Sequence, residues 1–121
     1  MDLYKYRKLT KTPGMIASTV KQMEGVKANI ICQIKAHFLL TKWCDLTISM
    51  CMPWSTPHVA VDEEGSVVFE WWCKETKKLT IYVNEDSVEF VKVWGIDMVN
   101  EMEEGLIENN EDFRLVWKWL H

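Results

Sequence analysis

Glu70, within Phe69-Glu-Trp-Trp72, is the residue best suited by type and spacing to do chemistry. On a strand it shares a face with Val68 and Trp72, because side chains alternate. A carboxylate held against an indole can have its pKa raised and serve as a general acid. The plainer expectation is a surface glutamate paired across strands with a lysine, Lys92 being the candidate. His37 could join Glu70 and Trp72 around a pocket between a sheet and a long helix. Lys27 could then pair with Glu70, if that helix covers the face Glu70 is on.

The other reactive residue types match no template. Cys32, Cys44, Cys51 and Cys73 are spaced 12, 7 and 22 apart, where zinc ligation favours close Cys-x2-Cys pairs. Adding His37 and His58 completes no ligand set. Nothing local marks a cysteine as an activated nucleophile. No Gly-rich phosphate loop, Ser/His/Asp constellation or His-Glu-x-x-His is present. The expectation is therefore no catalytic residue, no metal and no cofactor, and a binding protein in preference to an enzyme.

The elements that position these residues come from one small domain of 121 residues, 48% hydrophobic and 26% charged, with seven tryptophans. Such a composition excludes full disorder. No run approaches the ~18 uninterrupted apolar residues that a membrane span requires. The opening residues lack an apolar core followed by a small-residue cleavage site, so no secretory signal is expected. A cytoplasmic location with reduced, buried cysteines is the corresponding expectation.

Residues 1–13 read as a basic arm in which Lys5, Arg7, Lys8 and Lys11 face Asp2 alone, ended by Pro13-Gly14. A long helix is predicted over 15–40, with Ile16, Val20, Met23, Lys27, Ile30, Ile31, Ile34 and Phe38 as its core stripe. Gly25 could re-phase it, moving Val26, Ile30, Gln33, Ile34, His37 and Thr41 to the face. The opposite side, with Ser18, Gln22, Asn29, Cys32 and Ala36, is small and poor in charge. Either a partner covers it, or it packs closely on the chain's own sheet. Residues 41–58 read as a sticky loop or short strand, with Leu46, Ile48 and Met50 alternating and Pro53 and Pro57 as breakers.

Residues 58–95 read as a four-stranded antiparallel meander. Val67, Phe69 and Trp71 take one face of its second strand, and Val68, Glu70 and Trp72 the other. A final helix over 109–120, capped by Asn109 or Asn110, carries a stripe of Phe113, Val116, Trp117 and Leu120. The expected class is α+β, the meander packed by one long and one short helix.

Charge is segregated along the chain. Residues 1–60 carry +5 and residues 61–121 carry −9, giving the net −4. Asp97, Glu101, Glu103, Glu104 and Glu108 fall in a stretch, 96–112, that has no lysine or arginine. It could meet a basic protein groove, or simply be solvated. Nucleic-acid binding is disfavoured, since only Tyr4, Tyr6, Arg7 and Lys8 offer basic and aromatic side chains together.

Four motifs in residues 58–120 add a resemblance. They are Phe69-Glu-Trp-Trp72, Lys78-Leu-Thr-Ile-Tyr-Val83, Val93-Trp-Gly95 and Glu101-Met-Glu-Glu-Gly105. Together they resemble a family of small uncharacterised bacterial and mobile-element proteins with no established activity. The resemblance implies one compact unit of meander and final helix.

The function expected from these features is a non-enzymatic protein-interaction module, of the inhibitor or immunity type carried by mobile elements. It would act through an acidic, tryptophan-rich surface of Trp43, Trp54, Trp72, Asp97, Glu101, Glu103, Glu104 and Glu108. The alternatives are a homodimer meeting through the weakly charged helix side or the open sheet face, and a small ligand-binding or catalytic domain near Glu70. A protein partner is expected, nucleic acid and membrane are not.

Overall fold

A computed structural model describes residues 3–97 and 99–121, with side chains from residue 11 onward. Three helices and five strands follow in the order α1 (Leu3–Glu24), α2 (Ile30–Ser49), β1 (His58–Val61), β2 (Val67–Cys73), β3 (Lys77–Val83), β4 (Val88–Val93), β5 (Met102–Leu106) and α3 (Asn110–Leu120). The class is α+β. The strands form one antiparallel sheet in sequence order, each pairing with its successor.

The single helix predicted over 15–40 is two helices, and the basic arm belongs to the first of them. Asp2, the arm's acid, lies outside the described residues, as do the side chains of Tyr4, Tyr6, Arg7 and Lys8. Pro13 sits inside α1 instead of ending it, although proline removes a helical donor. Packing outweighs that loss. Thr12, Ile16, Thr19 and Met23 recur at helical spacing and are all buried. At Gly25 the helix closes, with the Gly25 and Val26 N–H groups donating to Gln22 and Met23 carbonyls.

Asn29 starts α2, its Oδ1 accepting from the Ile31 and Cys32 N–H groups at 2.8 and 3.4 Å. Its own N–H donates to the Gly65 carbonyl in the β1–β2 turn. Gly65 has φ +83°, and a Cβ there would come within 3.3 Å of Asn29. Glycine is therefore required where the turn docks on the cap. Lys35 donates to the Asn84, Glu85 and Ser87 carbonyls, holding the β3–β4 turn against the same helix.

The stretch expected as a loop or strand at 41–49 continues α2 to Ser49. Burial of Trp43, Cys44, Leu46 and Thr47 outweighs the β-branched composition. The meander gains a fifth strand, because Met102–Leu106 pairs with β4. Its charge marks an edge strand, where acidic side chains discourage pairing with other chains. Asn109 caps α3, accepting from the Asp112 N–H at 2.9 Å.

The core lies between the sheet and the helices. Val67, Phe69 and Trp71, which the alternation groups on one face, turn inward, as do Phe113, Val116, Trp117 and Leu120 of α3, the stripe that the sequence pattern predicts. α2 and α3 lie on the sheet, and α1 packs on α2 and along β1.

Candidate functional site

Glu70 lies on the outer sheet face and pairs with Lys78 at 3.3 Å, both side chains being partly exposed. The Lys78 ammonium also sits 4.8 Å over the Trp72 ring. Lys92 cannot be the partner, because the register Leu79↔Lys92 directs it to the helix side. There it lies 3.5 Å from Glu103. His37 is exposed on α2, on the far side of the sheet from Glu70, and Lys27 is exposed in the α1–α2 connection. Lys27, His37 and Glu70 therefore do not converge.

The proposed tryptophan surface also separates. Trp43 is 1% exposed and stacks on Phe113 at 4.9 Å. Trp54 is partly buried, stacked on Trp117 at 5.3 Å and edge-on to Trp71 at 6.1 Å. The 50–57 segment thus closes one end of the core instead of offering anchors. The Trp71 and Trp117 indole N–H groups donate to its Ser55 and Pro53 carbonyls. Of the three candidate tryptophans only Trp72 is exposed, at 62%.

The acids take up separate positions. Asp97 organises the β4–β5 hairpin tip, accepting from the Val99 and Asn100 N–H groups and the Asn100 side chain. These bonds, the Asn100 side chain first, hold its carboxyl below its ordinary pKa. Glu101 accepts from the Asp97 N–H at 3.3 Å. Glu103 pairs with Lys92. Glu108 is exposed ahead of α3, where its N–H donates to the Asp112 carboxylate. Glu104 is on the outer face with Trp72 but three strands away, beside a hollow of about 880 Å³ that Asp62, Glu63, Glu64, Tyr82 and Glu89 also line. No single surface holds the eight predicted residues.

The thiols are unpaired, and Cys32 and Cys44 are buried. Burial pushes the Cys44 thiol up to about 11, with Asp45 adding to the effect. Neither is an activated nucleophile. Among the described residues, no three His, Cys, Asp or Glu side chains converge as metal ligands would, and no helix is long and apolar enough to cross a membrane.

The surface that stands out belongs to α2. Cys32, Ala36, Leu40, Trp43, Cys44 and Thr47 form its buried face. That is the weakly charged side, and it meets the chain's own core. The stripe expected inside is outside. Ile30 is 67% exposed, Ile31 53%, Ile34 66% and Phe38 64%. Both proposed phasings of the helix placed Ile30 and Ile34 inward, and both are corrected here. Gly25 and Asn29 break the helix, so the phase of α1 does not carry into α2.

Hollows flank this stripe. One of about 690 Å³ lies between α1 and α2, lined by Ile16, Val20, Lys21, Glu24, His37 and Asp45 among others. Another, of about 590 Å³, lies beside Ile34, Phe38, Lys42 and Leu46. The sequence signal was the scarcity of charge around 28–41, where only Lys35 is charged. A helix apolar on every side has more than one face it could bury. The pattern could not say which side meets the core.

Compared with protein-family models, curated proteins and solved structures, the chain gives no match.

Proposed function

We propose that this chain is a non-enzymatic protein-interaction module whose contact surface is the outer face of α2. The observation that supports this is the row of Ile30, Ile31, Ile34 and Phe38, each more than half exposed. Those exposures amount to an apolar patch of roughly 500 Å², near the upper end of what monomers leave bare and commonly functional. An inhibitor or immunity-type role would use such a surface. Of the acidic, tryptophan-rich version of the surface, Trp72 and Glu104 remain together on one sheet face.

The test is site-specific photo-crosslinking in the native host, with a photoreactive phenylalanine analogue at position 38 and, separately, at position 72. A discrete adduct from position 38 is expected. An adduct from position 72 alone would overturn the α2 assignment and move the contact to the outer sheet face.

A further inference from the structure

We propose that the occupant of the α2 outer face is a second copy of this chain, docked with the two α2 helices antiparallel about a two-fold axis at Ile34. This rests on the preceding assignment of the surface. Two such patches offer about 1,000 Å² from these four side chains alone, which meets the floor for a biological interface before any rim residue is counted. Homodimer interfaces are more apolar than other contacts, as this patch is. Docking here also keeps the outer sheet face of each copy, with its acidic hollow of Asp62, Glu63, Glu64, Glu89 and Glu104, away from the other, avoiding like-charge repulsion there.

The stripe is matched to its own reverse. Rotation about Ile34 sets Ile30 against the partner's Phe38, and Phe38 against the partner's Ile30. The rim carries both signs of charge, with Lys21 and Glu24 on α1 and Lys42 and Asp45 on α2. α1 runs antiparallel to α2, because Thr12 donates to Asp45 and Gln33 donates to the Met23 carbonyl. Lys21 therefore lies level with about residue 36, and Glu24 with about residue 33, at ~1.5 Å per residue. The same rotation carries those levels to about 32 and 35, so Lys21 comes level with the partner's Glu24, twice by symmetry. Lys42 falls level with the partner's Lys27, a like-charge rim contact that water and salt screen.

Sedimentation equilibrium of the full chain from low to high micromolar concentration tests this. The expected result is a dimer of the 14.3 kDa chain. Ile34→Glu is expected to be monomeric with an unchanged circular-dichroism spectrum, since Ile34 is 66% exposed, and its melting temperature should lose the concentration dependence that a dimer confers. Lys21→Glu should weaken the dimer several-fold, and Lys21→Glu with Glu24→Lys should restore it. A monomeric wild type throughout overturns the second-copy proposal, while a position-38 adduct at another mass would leave the surface assignment standing. A dimer that survives Ile34→Glu overturns this interface. Failure of the charge swap to restore Lys21→Glu overturns the antiparallel docking.

Discussion

α3 and α2 lie on the same sheet face, yet they solve the burial problem in opposite ways. α3 buries Phe113, Val116, Trp117 and Leu120, while Glu111, Lys118 and the partly exposed Arg114 face water. α2 buries Cys32, Ala36 and Thr47 beside Leu40 and Trp43, and turns three isoleucines and a phenylalanine outward. An amphipathic helix has one apolar side and so one way to dock. A helix apolar all round has several, and shape then decides. Small side chains let α2 approach the sheet closely. Its rotation is locked by the Asn29 N–H, bonded to Gly65 in the β1–β2 turn, and by the Asn29 and Lys35 side chains, bonded to the β3–β4 turn. The larger apolar residues are left over on the outside.

The sharpest way to break this comparison is to truncate one aromatic on each face of α2. Trp43→Ala should cost about 3–5 kcal/mol in urea unfolding, the range for emptying a buried aromatic site. Phe38→Ala should stay within about 0.5 kcal/mol for the monomer, as exposed positions do. Equal losses would mean that Phe38 is core and that the helix faces are assigned wrongly.

A smaller effect tests the close approach. Ala36 is fully buried, and Ala36→Leu should cost about 1–3 kcal/mol through overpacking. A neutral result in thermal unfolding would show room between α2 and the sheet.

Next come the caps. Asn29→Ala and Asn109→Ala should each cost about 1 kcal/mol. Asn29 should cost more, because its Nδ2 also donates to Glu85 at 2.6 Å and ties the helix to a sheet turn. Equal values would show that this tie does not hold the rotation of α2.

The smallest expected effect is at the end of α3. Burial lowers the pKa of His121 below its usual 6.5, and Lys77 adds to this. Its ring lies 4.6 Å from Trp117. The unfolded chain therefore takes up this proton first as pH falls through 6.5, so the folded state loses stability on the acid side. The residue is otherwise exposed, which keeps the loss to tenths of a kcal/mol. His121→Gln should flatten that part of a pH–stability curve. A steeper acid slope in the variant would reverse the sign assigned here.

Local pattern was enough for β2, β3, β4 and α3. Alternation at Val67–Trp71 groups Val67, Phe69 and Trp71 on one face, and the stripe from Phe113 to Leu120 leaves one way to bury the apolar side of α3. It also showed that this stretch of helix, α2, is poor in charge. Pattern failed at Pro13, where packing outweighed a lost hydrogen bond, and at Met102–Leu106, where the free edge of β4 recruited an acidic segment as a strand. The expected site failed for a related reason. Trp43 and Trp54 look surplus when tryptophans are counted along a chain, but the space under the sheet holds both.

Chain order alone thus set the first four strands of the meander, the grouping of Val67, Phe69 and Trp71 on one face of β2 and the amphipathic docking of the last helix. These follow from periods of two and 3.6 residues, which any local stretch displays. Which face of α2 turns inward, which of Trp71 and Trp72 stays exposed and which lysine meets Glu70 were settled by the tertiary structure. Each depends on the distance between elements, on sheet register and on hydrogen bonds to turns more than thirty residues away, and none of these has a local period to read.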